Sequence, residues 1–411
     1  MGERPFIIAA ILLLGWQGMS QAQNRLTDRL RELDSDRNGT LSLLESGREK
    51  GVFDAMDADK DGQLTIGEVR DYLRDGGKLG PTATPDAAPQ EVVGAFAESM
   101  PVSLRSCRDA AAYSRQSKGH AVLVMVDGVT VYESYHNGWS AEKPHRLASG
   151  TKSFAGVAAA VAVGDGLFDF DDAVSETIAL WKDDPRLSRI TIRQLLSLTS
   201  GIDPGDNSVV LSYRQAIQSE PKHEPGAKFE YGPNPFQVFG ALMRRKVPPP
   251  NRSMLDYLQQ RVFEPIGMEV GSWRQTPEGD PHVPSGAFLT AREWVKFGEL
   301  LRRGGQTASG QVIRADLLQE LLTGSKSNPR YGMTFWLNIK AGTGAGNDAA
   351  GRSTTPTTDR APMEDLFMAA GAGKQRLYVV PSLKLTVVRF GESLGREYRD
   401  DVFLDRLIVV R

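Results

Sequence analysis

The chain has 411 residues, 40% hydrophobic and 24% charged, a balance that permits a sizeable core in the larger of two or more domains and excludes a disordered or fibrous protein. Its 49 Lys and Arg against 51 Asp and Glu leave no basic excess, and no basic stripe interleaves with aromatics, so nucleic acid is not expected as a partner. The one cysteine, Cys107, cannot close an intramolecular disulfide, and no His or Asn stands near it in sequence to suggest a catalytic thiol.

At the N-terminus the apolar run Pro5–Trp16, with small residues following at Ser20 and Ala22, has the layout of a signal peptide over residues 1–22. The run is shorter than the roughly 20 residues a bilayer span needs. A cleaved signal, a secreted or periplasmic protein and no stable membrane span are therefore expected. Residues 23–78 carry two oxygen-rich loops, Asp34-Ser-Asp36-Arg-Asn38-Gly39-Thr40-Leu-Ser42-Leu-Leu-Glu45 and Asp57-Ala-Asp59-Lys-Asp61-Gly62-Gln63-Leu-Thr65-Ile-Gly-Glu68. A hard cation needs several oxygens, a glycine to turn the chain at the sixth position, and a final Glu that offers two oxygens from the exiting helix. Candidate ligands are Asp34, Asp36, Asn38, Thr40 and Glu45 in the first loop, and Asp57, Asp59, Asp61, Gln63 and Glu68 in the second. The alternative is a charged, solvated helical hairpin that happens to fit the pattern. These loops are similar to EF-hand pairs of the compact secreted kind, with dockerin-like modules as a related form. The resemblance implies a small α-helical module holding Ca2+ in a structural role, with a protein partner that the sequence does not name.

Residues 79–90, with Pro81, Pro85 and Pro89 among small residues, read as an extended linker. Beyond it, in residues 91–411, Ala121–Tyr135 predicts a hairpin about Asp127-Gly128, and Gln375–Phe390 a second that turns at Pro381–Lys384. Helical patterns follow Ser149 through Phe154–Val163, and cover Ile190–Leu198, Thr290–Arg303 and Glu397–Val409. Hairpins near both ends with helices between them predict an α+β domain, an antiparallel sheet flanked by helices with an inserted helical region.

Ser-x-x-Lys occurs three times, at Ser140/Lys143, Ser149/Lys152 and Ser219/Lys222. On a helix, residues three apart share a face, so a serine in the first turn can sit beside a lysine amine while the helix N-terminus favours developing negative charge. Pro144 follows Lys143 directly, and Pro221 stands inside the Ser219 turn and pushes Glu220 out of the α region. Only Ser149 leads into an alanine-rich helical run. Taken alone, it also reads as a helix-capping serine with a surface lysine.

Six ordered blocks settle that choice by resemblance: Ala148–Phe154, Gly166–Asp171, Ile190–Ile202, Glu224–Tyr231, Phe263–Met268 and Ala369–Gln375. With them the region from about residue 95 to 411 resembles the serine β-lactamase and penicillin-recognising hydrolase superfamily, in its class C and esterase-like branch. The resemblance implies Ser149 as nucleophile, Lys152 as base and Tyr231 as the proton shuttle of the second motif. A lysine acts as base only when neutral, which partial burial beside positive potential can bring about. The chain departs from the pattern twice. Pro233 occupies the second-motif asparagine position, leaving Asn234 one residue late as a substrate contact. The third motif aligns with Ala369-Ala370-Gly371, which keeps a backbone role for Gly371 and an oxyanion hole from the N–H groups of Ser149 and Ala372, but loses the motif's lysine. Lys374 and Arg376 are expected in solvent on the strand.

No histidine spacing suggests zinc and no G-x-S-x-G elbow occurs. The favoured reading is a secreted serine hydrolase, a carboxylesterase or amidase acting on a small-molecule or peptide-like ester or amide, with no cofactor in the hydrolase site. Two others stand beside it: a β-lactamase or D,D-peptidase, and a catalytically inactive calcium-stabilised binding protein on a hydrolase fold.

Overall fold

The computed structural model describes residues 90–207, 209–338, 363–393 and 398–409, and, nearer the N-terminus, 40–42, 53–54, 56–57, 62–65, 68–69 and 72. The chain divides into two units, Met1–Thr84 and Pro85–Arg411. The expected signal peptide and the calcium-loop residues Asp34, Asp36, Asn38, Glu45, Asp59 and Asp61 lie outside the described residues.

In the first unit, strands β1 (Leu41–Ser42) and β2 (Gln63–Leu64) pair antiparallel with Leu41 opposite Leu64. Thr40 Oγ1 donates to Gln63 Oε1 at 2.9 Å, and the Gly62 amide donates to Asp57 Oδ2 at 3.0 Å. Glu68 Oε2 accepts from the Thr65 amide at 2.8 Å. Leu41, Phe53, Met56, Leu64 and Val69 are buried together, with Tyr72 packed on them.

The second unit is built on a seven-stranded sheet. Its strands are β3 (Gln90–Val93), β4 (Gly119–Val126), β5 (Val129–Tyr135), β9 (Trp336–Leu337), β10 (Phe367–Gly371), β11 (Gln375–Val380) and β12 (Leu385–Gly391), in the order β9–β10–β11–β12–β4–β5–β3. Every pairing is antiparallel. A smaller sheet holds β6 (His145–Arg146), β7 (Ser272–Trp273) and β8 (Ala287–Leu289). β4 is buried almost throughout. It reads as a continuous apolar run because both of its faces are covered.

One face carries α1 (Leu104–Gln116) and α6 (Asp400–Leu407), the other α5 (Ala291–Arg302). Alternation along β12 makes the division visible. Phe390 stacks on Trp294 of α5, whereas Arg389 reaches Ser114 of α1. Between the two hairpins lie α2 (Lys152–Gly164), α3 (Ile192–Leu196) and α4 (Asn234–Lys246), which form the inserted helical region with several short turns. Among the described residues no helix is long and apolar enough to cross a membrane.

The expected hairpins and the helices after Ser149 and Thr290 are present, and the differences lie at helix ends. α3 starts at Ile192 because Thr191 and Gln194 form a reciprocal capping box, and Leu198 beyond its end is left-handed with φ 59°. α6 runs Asp400–Leu407, shorter than the expected Glu397–Val409, because Arg399 and Ile408 are extended and the Val409 amide bonds to Pro101 O. α1, absent from the sequence reading, is started by a capping box between Ser103 and Ser106.

Candidate active site

Ser149 lies in the 3₁₀ turn Ala148–Thr151 that runs directly into α2. Ala148 before it is left-handed, φ 46°, a conformation costly for a residue with a Cβ. The turn is wedged from two sides. Trp294 packs against Gly150, where an added Cβ would lie 2.9 Å from its ring, and β10 ends against the same turn. A Cβ on Gly371 would sit 2.0 Å from Leu147 O and 3.1 Å from Gly150 N. Only glycine allows the end of β10 to come this close to the turn that carries Ser149.

One helical turn on, Lys152 is 2% exposed, with Nζ 3.1 Å from Ser149 Oγ and 3.3 Å from Pro284 O. Burial alone pulls its pKa down from 10.5 to about 7. The positive potential expected beside it is not needed as a second cause. Pro284 is held in place from α4: Gln237 Oε1 accepts the Val283 amide at 2.9 Å while its Nε2 donates to Leu211 O. Tyr231 lies beside the lysine, its ring centroid 4.8 Å from Nζ, and stacks on Trp336 at 6.0 Å with Tyr331 and Phe229 around it. Ser149 and Tyr231 are half-buried, so a substrate can reach both.

The other two Ser-x-x-Lys pairs are occupied elsewhere. Lys143 sits 3.8 Å over the Trp139 ring, and Lys222 pairs with Asp203 at 3.0 Å. Asn234 is drawn into the protein interior: Pro233 and Asn234 open α4, and the asparagine Nδ2 donates to Asp203 O while its buried Oδ1 has no partner. Arg376 corrects an expectation outright. It is 3% exposed and pairs with Asp400 at 2.6 Å, because the residue faces α6 where the strand's alternation turns it inward. Lys374 is partly buried.

Sequence reasoning also missed Gln237 and Pro284, whose roles depend on contacts with no local pattern. The same holds for His120 and His145, whose Nδ1 and Nε2 lie 3.0 Å apart. This buried pair backs the site through Phe390, which stacks on both His145 and Trp294. Among the described residues no cluster of three or more His, Cys, Asp or Glu is placed to hold a metal ion.

A buried lysine on a helical serine, a tyrosine ring beside it and a strand end closing over the turn define a serine-hydrolase arrangement. The β-lactamase family model matches residues 93–409, and the chain belongs to that family, whose members are serine hydrolases. Protein flp of Staphylococcus aureus (strain MW2) is 28% identical over 158 residues, covering 35% of this chain and 31% of that protein. The chain thus spans less than a third of the length of the curated relatives it matches. Among solved structures, a penicillin-binding protein homolog from Caulobacter crescentus has TM-score 0.57 at 15% identity, covering 75% of this chain and 97% of that one. EstCE1, a hydrolase with promiscuous acyltransferase activity, has TM-score 0.55 at 16% identity, covering 74% and 97%. At these identities the likeness concerns the fold.

Proposed function

We propose that this chain is an exported serine esterase or amidase that works through an acyl-enzyme on Ser149 and carries a calcium-binding N-terminal module. The observation that carries the enzymatic reading is the 3.1 Å contact between Ser149 Oγ and a lysine buried deeply enough to be half neutral near pH 7. Ser149 Oγ attacks the substrate carbonyl as the neutral Lys152 amine takes its proton. The tetrahedral oxyanion rests on the N–H groups of Ser149 and Ala372, and Tyr231 relays the proton from Lys152 to the departing alcohol or amine. Water then hydrolyses the acyl-enzyme by the reverse proton route. The ester or amide preference over β-lactams and D,D-peptides is supported by Ala369-Ala370 in place of a motif lysine and by the inward turn of Arg376.

The calcium reading rests on the two loops, and the described residues fit it. The same place in each loop, Leu41 and Leu64, pairs across β1–β2, and the first ligand of the second loop, Asp57, accepts from the turning Gly62. Asp57, Gln63, Glu68 and Thr40 would supply oxygens, and the ion would brace the module.

The test is labelling with a fluorophosphonate, mass-spectrometric mapping of the modified residue, and turnover of a p-nitrophenyl ester. Modification at Ser149 and loss of turnover in Ser149→Ala are expected. Full turnover in that variant sinks the assignment. Acylation by a labelled penicillin moves the protein to the β-lactamase or D,D-peptidase reading, and no labelling at all moves it to the non-catalytic one.

A further inference from the structure

The backbone Gly371–Lys374 carries the proposed oxyanion donor at Ala372, and the groups that fix it form a separate pattern. Each of its carbonyls is taken by a buried side chain of the next two strands. Arg376 Nη1 donates to Gly371 O at 3.3 Å and to Gln375 O at 2.9 Å. Gln375 Nε2 donates to Ala372 O at 3.0 Å and to Gly391 O at 2.6 Å, while its Oε1 accepts the Gly391 amide. Arg389 Nη1 donates to Gly373 O at 3.1 Å and to Lys374 O at 2.8 Å. All three are almost fully buried, at 3%, 1% and 0% exposure. Arg376 and Arg389 stand directly opposite each other on β11 and β12.

A stretch that includes a left-handed Gly373 would otherwise be free to rotate its peptide planes. Holding four successive carbonyls away from the nucleophile fixes the directions of the N–H groups between them. The contact to Gly371 O has a further effect, because that carbonyl and the Ala372 N–H belong to one peptide unit. A cationic donor on the oxygen withdraws electron density through the amide and strengthens the N–H as a donor. The local charge is also uneven. Asp400 neutralises Arg376, whereas Arg389 is held by Ser114, Ser117, Ser393 and the Tyr398 face, and among the described residues no carboxylate bonds to it.

We propose that Arg376, Gln375 and Arg389 are positioning residues that clamp the Gly371–Lys374 carbonyls, aim and polarise the Ala372 N–H, and supply from behind the strand the positive potential that a motif lysine would supply from in front. The inference rests on the acyl-enzyme reading, and the experiment separates the two. Three variants are compared with wild type: Arg376→Lys, Gln375→Leu, and Arg376→Met combined with Asp400→Leu. In the first, a cation stays beside Asp400 but the fork is lost. The last removes both members of the buried ion pair, so neither is left without the other.

With a p-nitrophenyl ester, kcat is expected to fall ten- to a hundredfold in each variant while KM stays within twofold. The phosphorus NMR resonance of the Ser149 phosphonyl adduct, whose P–O oxygen takes the oxyanion place, is expected to move in each. The Gln375 variant alters no charge and keeps the test alive if a charge variant does not fold. Folded variants with kcat within twofold of wild type and an unmoved resonance overturn the clamp. Absence of the adduct in wild type overturns the acyl-enzyme reading instead.

Discussion

Replacing Lys152 by Met should abolish catalysis and stabilise the fold, and the two effects have a common origin. An exposed lysine with pKa 10.5 is neutral at pH 7 in roughly one molecule in several thousand, whereas at about 7 half are neutral. Wild-type kcat/KM should therefore rise with pH through an inflection near 7, and Lys152→Met should lose about 10² to 10⁴ in kcat. The stability effect follows by linkage. The unfolded lysine binds its proton up to about 10.5 and the folded one only up to about 7, so wild-type stability rises with pH across that window. Below it, burial costs the wild type up to about 4 to 5 kcal/mol. Met escapes that cost but leaves Ser149 Oγ and Pro284 O each short of a donor, about 1 kcal/mol apiece. The variant should thus be more stable by about 2 to 3 kcal/mol at pH 6 to 7, an advantage that vanishes near pH 9 and reverses by pH 10. Denaturant melts of both proteins at matched pH measure it. A difference that is absent, or constant from pH 6 to 10, refutes the idea that burial alone sets the lysine's pKa.

Tyr231→Phe keeps the ring stacked on Trp336. Its loss of about 10² or more in kcat should be larger for alkyl esters than for p-nitrophenyl esters, because the poorer leaving group depends on the delivered proton. Equal losses for both would speak against a shuttle. Gly371→Ala forces a methyl against Leu147 O and should cost about 1 to 3 kcal/mol of stability together with most of the turnover; kcat and a thermal melt read both. Calorimetry on the intact chain should show calcium heat that Asp57→Ala reduces, and chelation should leave the p-nitrophenyl ester rate unchanged. A rate that falls with chelation would place calcium in the chemistry.

The parts of the site carried by local sequence were legible. Ser149 and Lys152 lie three apart at the start of an apolar helix, and the structure puts Oγ and Nζ in contact. The Asp127-Gly128 turn and the Pro381–Lys384 corner announced the hairpins that build the centre of the sheet. What escaped was long-range. Nothing in the alternation of Gln375–Val380 says which face α6 will cover, so Arg376 reads as a surface residue until Asp400 is placed beside it. Asn234 resembles a displaced motif residue in sequence. Only the helix that opens at Pro233 shows its side chain committed to Asp203 O.

The order of the sheet bears on when this protein can fold. Its central strand β12 pairs with β4, Val387 opposite Val124, so the early strand β4 finds its second neighbour only among the last to be synthesised. Until β12 arrives, β4 has an open edge and Arg389 has not yet brought its donors to the Gly373–Lys374 backbone. A nascent chain stalled before Leu385 should be digested by protease throughout its first hairpin, and release of the full length should protect that hairpin in one step.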